Sequence, residues 1–168
     1  MKTLLLCVMA MPLAALAASN SPDGSFYKKA AEAGISEVDL GNLAEQKSPD
    51  QQVKDFGAMM VKDHSAANEK LQALAASKGI SLPSKASVAQ MATKAKLDVL
   101  SGETFDKSYI KSQVKAHTEP IALLNKEISS GQDSDAKAFA QSVLPTVRSH
   151  LKAIRSIAAG AKAASASQ

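Results

Sequence analysis

The sequence contains three histidines, and each of them interrupts the apolar stripe of a different predicted helix. His64, His117 and His150 each have apolar residues three or four positions before and after them, the spacing that keeps side chains on one helix face. In a fourth segment Glu37 takes the same place in an apolar stripe. The pattern predicts four helices that each direct one metal-ligating side chain towards a shared interior.

Imidazole and carboxylate groups are ligands for divalent transition ions, and three histidines with one carboxylate complete a four-coordinate site. Such an ion would also offset the cost of burying four polar groups in an apolar core. We therefore predict a metal site formed by Glu37, His64, His117 and His150, with zinc favoured and Glu37 as fourth ligand or general base. Without a metal, no cofactor is expected.

Neighbouring polar residues lie one helical turn from two of the histidines. Asn68 follows His64 by four residues and Gln113 precedes His117 by four, so either side chain could orient an imidazole as a second-shell group. Asp63 directly precedes His64, which turns it about 100° away on a helix. We expect Asp63 to pair at the helix surface and not to join the site.

A structural alternative stays open, because buried histidines often only hydrogen-bond to one another or to a carboxylate. The sequence argues more firmly against di-iron chemistry, which uses Glu-x-x-His pairs on two helices. The positions three residues before the histidines hold Val61, Val114 and Val147. No nucleophile elbow, phosphate-binding loop or dinucleotide fingerprint occurs, so no catalytic residue is predicted.

Residues 1–18 have the composition of a signal peptide, with Lys2, a short apolar run and small residues before the expected cleavage site. The run is too short to span a bilayer comfortably, so no integral membrane association is expected. Cys7 is the only cysteine and lies in this segment, so the mature chain would contain no thiol. These features predict a periplasmic protein.

Lysine and arginine number 20 against 16 acidic residues, and their signs alternate along the predicted helices. That distribution is typical of a solvated surface, so no nucleic-acid partner is predicted. The partner and the oligomeric state stay unknown from sequence.

The domain is predicted to span 25–159, between a flexible lead-in at 19–24 and a disordered tail at 160–168. Short turns near Pro49 and Gly131 predict two antiparallel helical hairpins. They are joined by a connection of about twenty residues that has a weak helical period from Val88 to Leu100. Two hairpins with one long crossover give an all-α, ferritin-like four-helix bundle. Pro120 and Pro145 fall inside predicted helices and should kink them.

Four segments carry a family resemblance: FYKKAAEAGISEVDLGNLA from Phe26, FGAMMVKDHSAANEKLQAL from Phe56, FDKSYIKSQVKAH from Phe105 and LPTVRSHL from Leu144. Together they resemble the bacterial "domain of unknown function 4142" family over about residues 25–157. The resemblance implies a ferritin-like bundle in an exported bacterial protein, and it implies no activity. The polar positions of the family map onto Glu37, Asp63 with His64, Asp106, His117 and His150.

Three functions remain as hypotheses. The first is a periplasmic protein that binds a divalent transition metal. The second is a non-enzymatic structural, interaction or envelope-stress protein whose polar cluster is a core hydrogen-bond network. The third, ranked last, is a metal-dependent enzyme, which would require an open coordination position and a water-accessible cleft.

Overall fold

The chain folds into five α-helices over residues 22–166, the part that the computed structural model describes. No β-strand occurs within this range, so the all-α class is confirmed. The helices are α1 (Pro22–Lys47), α2 (Gln51–Ser77), α3 (Val88–Asp98), α4 (Gly102–Ser130) and α5 (Ser134–Ala166). None of these helices is long and apolar enough to cross a membrane. The predicted signal peptide at 1–18 lies outside the described residues.

Both ends of the helical domain differ from the sequence-based boundaries. Helix α1 begins at Pro22, so residues 22–24 of the predicted lead-in are helical. Asp23 explains this earlier start, because its Oδ1 accepts a hydrogen bond of 2.9 Å from the backbone N–H of Gln132 in the α4–α5 turn. Helix α5 continues to Ala166, beyond the expected end at Ala159. The residues after Ala159 are rich in alanine, the strongest helix former.

The α1–α2 hairpin is antiparallel and closes on two facing glycines. A Cβ atom at Gly41 would lie 2.6 Å from the carbonyl oxygen of Gly57, and one at Gly57 would lie 2.7 Å from that of Gly41. Only hydrogen fits at both positions, so the two backbones are in direct contact. Glycines that weaken helices by about 1 kcal/mol each are therefore explained here by close packing.

The turn before α2 caps that helix and also contacts α4. Asp50 is the N-cap residue, and its Oδ1 accepts a hydrogen bond of 2.8 Å from the backbone N–H of Gln52. Ser48, two residues earlier, donates its hydroxyl to Asp106 Oδ1 at 2.6 Å. The turn is thereby attached to α4, which orients the first hairpin against the second.

The crossover segment contains α3, which begins with a capping box formed by Ser87 and Gln90. Leu97 is the buried residue of this helix. The ammonium group of Lys47 donates hydrogen bonds to the carbonyl oxygens of Asp98 and Leu100, which ties the end of α3 to the end of α1. The connection was predicted to be partly helical, and α3 is its helical part, which packs against the bundle.

The interior of the bundle contains two apolar clusters with a polar layer between them. The first cluster includes Leu40, Phe56, Met60, Phe105, Tyr109, Leu151 and Ile154. The second includes Phe26, Tyr27, Ala31, Leu71, Leu124 and Val147. On each of the four long helices the predicted ligand falls between a residue of one cluster and a residue of the other. The polar side chains therefore form a separate layer near the middle of the bundle.

Pro120 and Pro145 both lie inside helices that continue through them. A proline removes the hydrogen bond from its own nitrogen to the carbonyl four residues earlier. For Pro120 that carbonyl belongs to Ala116, immediately before His117. The interrupted turn of α4 thus lies directly beside the polar layer.

Candidate metal centre

The three histidine rings meet in the polar layer, each supplied by a different helix. The ring centroids are separated by 5.9 Å for His64 and His117, 5.5 Å for His64 and His150, and 5.4 Å for His117 and His150. One ring nitrogen from each histidine lies within 4.8 Å of one from each of the others. Phe56 of the first apolar cluster packs edge-on against His117 and His150. The arrangement is a compact group of three nitrogen donors.

His117 is held in one tautomer by its own helix. Its Nδ1 lies 2.9 Å from the backbone carbonyl oxygen of Gln113, which can only accept a hydrogen bond. The proton must therefore be on Nδ1, and Nε2 carries a lone pair. Nε2 is buried and has no hydrogen-bond partner among the described residues. Burial lowers the pKa of His117 to about 4, against the opposing effect of the Gln113 carbonyl, so the ring is neutral at neutral pH.

His150 is held in the opposite tautomer by a carboxylate on α2. Its Nε2 donates to Asp63 Oδ2 at 2.9 Å, so its Nδ1 carries the lone pair. This Nδ1 is buried and has no partner in the described part of the chain. A histidine that donates one N–H to a carboxylate while its other nitrogen stays free is the arrangement found around protein-bound metals.

His64 completes the group from a less buried position on α2. Its Nε2 is buried and has no partner within residues 22–166. Burial is the main reason that its pKa falls to about 3, and repulsion from His117 and His150 adds to the decrease. A positive charge on one protonated ring would repel a positive charge on either of the others, whereas one cation could be shared by three neutral rings.

Glu37 lies in the same layer but outside the group of three. It is 4% exposed, and its Oε2 has no hydrogen-bond partner in the described chain. Burial raises the pKa of Glu37 to about 7, and an interaction with the Gln113 amide partly opposes that rise. Burial and then the nearby Glu37 charge raise the pKa of Tyr109 well above its usual value. The role of Glu37 as fourth ligand or general base stays a prediction.

Asn68 and Gln113, the two amide residues expected to orient an imidazole, do not hydrogen-bond to a histidine through their side chains in the described structure. Gln113 contacts His117 through its backbone carbonyl, whereas its side-chain amide lies towards Glu37. The Asn68 side chain packs against Gly34, where an added Cβ would come within 1.8 Å of the Asn68 Oδ1 atom. No hydrogen bond joins Asn68 to His64 in the described structure. Gly34 therefore provides the space for the Asn68 side chain at the edge of the site.

A cavity of about 300 Å³ adjoins the histidines and is lined by all four long helices. Its wall includes His64, His117, His150, Glu37 and Asp63. The lining also reaches residues that are exposed at the surface: Ala66, Lys70, Ser142 and Thr146. The site is thus open towards solvent on one side.

Sequence reasoning placed Asp63 at the surface, and the structure corrects that expectation. Asp63 points about 100° away from His64 around α2, but neighbouring helices in a bundle lie at such angles. The carboxylate therefore reaches α5 and His150 across the α2–α5 interface. The adjacent Asp63 and His64 were the available signal for this hydrogen bond in the sequence. The signal can be interpreted only when the helix that faces Asp63, here α5, is known.

The family comparison agrees with the resemblance seen in the sequence. The profile of the family described as "Domain of unknown function (DUF4142)" matches residues 8–157. The chain belongs to this family. The match covers the four ordered segments and all three histidines, and the family description assigns no activity. No curated protein matches the sequence significantly.

Solved structures of another family share the fold of this DUF4142 chain. The crystal structure of a DUF305 fragment from Deinococcus radiodurans has a TM-score of 0.72 and 12% identity, covering 82% of this chain and 95% of that chain. The crystal structure of "putative secreted protein DUF305" from Streptomyces coelicolor has a TM-score of 0.72 and 13% identity, covering 86% and 96%. At such low identity these similarities show a common fold alone.

Proposed function

We propose that this protein binds one divalent transition metal ion through His64, His117 and His150. Two observations carry the proposal: one ring nitrogen of each histidine lies within 4.8 Å of one from each of the others, and each ring has a buried nitrogen with no partner among the described residues. Neutral imidazole nitrogens suit zinc, copper, nickel and iron, and zinc is favoured for a four-coordinate site.

Two features support metal binding over a purely structural cluster. A core hydrogen-bond network would satisfy its own members, yet each inward nitrogen lacks a partner within residues 22–166. The hydrogen bonds from His117 to Gln113 and from His150 to Asp63 instead engage one nitrogen of each ring and leave the other nitrogen unpaired. Around a tetrahedral zinc ion, nitrogens bound at 2.0–2.1 Å are about 3.3 Å apart, so binding contracts the cluster slightly.

The proposal includes the ferritin-like arrangement and the cellular location. Two hairpins joined by a crossover that contains α3 fit that architecture. Export to the periplasm is supported by the signal-like composition of residues 1–18 and by the secreted description of the Streptomyces coelicolor protein. In that compartment the domain would hold its ion without any cysteine ligand.

A zinc titration of the metal-free protein tests the proposal. Calorimetry should show about one zinc per chain for the wild type and none for the His64→Ala/His117→Ala double variant. Phe56→Leu is the matched control, because it disturbs packing against the same rings without removing a donor atom. It should keep the stoichiometry. Equal zinc binding by the wild type and the double variant would refute the assignment.

A further inference from the structure

The cavity beside the histidines is large enough for an organic molecule. Its volume is about 300 Å³. An apolar cavity of about 150 Å³ holds benzene, so by proportion this one holds about twelve non-hydrogen atoms. The lining extends from the buried histidines to exposed residues at its mouth, so such a molecule would have a path to the site.

The side chains of the cavity walls determine the polarity of the part of a ligand that contacts them, here called the ligand body. Between the histidines and the mouth they consist largely of aliphatic and aromatic side chains, among them Leu71, Leu124, Phe139, Val143 and Val147. These groups offer no hydrogen bonds, and a polar ligand body would lose its contacts with water without replacement. The ligand body that fits is therefore apolar.

The charged groups around the cavity determine the charge of the ligand group nearest the histidines, here called the ligand head. Among the described residues, the charged side chains in the lining are Glu37, Asp63 and Lys70, which together have one net negative charge with Glu37 ionised and none with Glu37 protonated. A dication held by the three histidines would make the net charge of the lining positive in either state of Glu37. A single negative charge would then be neutralised inside a low-dielectric space, where the attraction is strong.

The coordination chemistry places that negative charge on the ion. Three imidazoles leave a fourth position of a four-coordinate ion open, and carboxylate oxygens are ordinary zinc ligands. We propose that the metal-loaded cavity binds a small monocarboxylate with an apolar body, its carboxylate on the ion and its body against the cavity walls. This inference rests on the proposed metal-binding function.

Cobalt substitution of the untagged full chain makes the open position observable. Benzoate should change the visible absorption of the Co(II)-loaded protein saturably, because a new oxygen ligand alters the coordination of the ion. Benzamide, which has nearly the same shape and no charge, should leave the spectrum unchanged at the same concentration. Calorimetry of the metal-free protein should detect no benzoate binding, because no ion is then present to hold the carboxylate.

A cavity-filling variant tests where the apolar body lies. Ala67→Leu on α2 fills part of the cavity, and Ala73→Leu makes the same change on the exposed face of the same helix. Ala67→Leu should weaken benzoate binding by about tenfold or more, a loss of roughly 1.4 kcal/mol. Its response to acetate, which needs no space for a body, should be retained. Val143→Phe provides a second filling variant if Ala67→Leu does not fold.

The outcomes separate this inference from the function on which it rests. One cobalt per chain with no response to benzoate or acetate would overturn the inference and leave metal binding intact. Equal responses to benzamide and benzoate would overturn the carboxylate assignment. If no cobalt binds at all, both proposals fall.

Discussion

At the scale of residues, the site depends on which nitrogen of each ring carries a proton. The Gln113 carbonyl fixes His117 with a free Nε2, and Asp63 fixes His150 with a free Nδ1. The carbonyl and the carboxylate only accept hydrogen bonds, so neither ring can adopt the other tautomer without losing its hydrogen bond, which is buried for His117 and partly buried for His150. One nitrogen of each of these two rings therefore has a free lone pair before any ion arrives, which lowers the cost of organising the site.

Asp63→Asn tests this fixing role. The amide can turn its NH₂ towards His150 and favour the wrong tautomer, so zinc affinity should fall by about 10- to 100-fold. Competition with a chelating dye measures the change. Asp55→Asn, at an exposed position of the same helix, is the control and should keep wild-type affinity. Unchanged affinity in Asp63→Asn would contradict the role of this hydrogen bond.

Glu37 should give the metal-free protein a distinctive pH dependence. Its pKa is about 7 in the folded chain against 4.5 ordinarily, so folding takes up a proton between these pH values. The stability that Glu37 contributes is fully present below pH 4.5 and is lost as pH rises to 7. Relative to Glu37→Gln, the wild type should lose on the order of 3 kcal/mol across this window.

Denaturant unfolding of both proteins at pH 4.5 and 7.5, in the presence of a chelator, measures the difference. Glu69→Gln, an exposed change of the same chemistry on α2, serves as the matched control. A difference between wild type and Glu37→Gln that does not vary with pH would show that Glu37 does not take up the proton.

Helical spacing alone placed the three histidines and Glu37 on the inner faces of their helices, because burial follows the apolar stripe. The spacing could not reveal the Asp63–His150 hydrogen bond or the part played by the Gln113 carbonyl. Both depend on which helices are neighbours and on ring rotation. These are properties of tertiary packing, and a stripe on one helix does not encode them.

At the scale of elements, the α1–α2 contact fixes the height at which two helices present their side chains to the layer. Gly41 and Gly57 allow the backbones to touch, and that contact sets the register between Glu37 and His64. The sequence of α1 alone does not distinguish a glycine that weakens the helix from one that allows close packing. Only the position of the partner glycine on α2 decides between them.

Gly57→Ala should separate the hairpin and destabilise the fold. The new Cβ would lie 2.7 Å from the Gly41 carbonyl oxygen and 3.0 Å from the Ala44 Cβ, and backbone atoms cannot turn aside. Overpacking of this kind typically costs about 1–3 kcal/mol. Urea unfolding measures the loss. Gly160→Ala is the matched control, since nothing lies within 4 Å of its Cβ and the helix should gain up to about 1 kcal/mol.

At the scale of the whole molecule, the polar layer joins all four long helices between two apolar clusters. Such a layer is costly when its nitrogens are unpaired, since buried polar groups without partners weaken a fold. An ion bound there would connect α2, α4 and α5 at mid-height. Metal binding should therefore stabilise the complete domain and not one hairpin alone.

Zinc at about 100 times its dissociation constant should stabilise the fold by about 2.7 kcal/mol and raise its melting temperature by roughly 5–10 °C. His64→Ala should abolish this increase. Magnesium, which prefers oxygen ligands, serves as the control ion and should give no shift. Differential scanning calorimetry of both proteins measures the effect, and an equal zinc shift in His64→Ala would argue against the histidine site.

The metal content of untagged protein purified from its native compartment tests the central claim most directly. Elemental mass spectrometry should find about one transition-metal ion per wild-type chain and none in the His64→Ala/His117→Ala variant purified in parallel. A wild-type chain that carries no ion, and that takes up none after incubation with zinc, copper, nickel, iron or manganese, would contradict the claim that the three histidines form a metal centre.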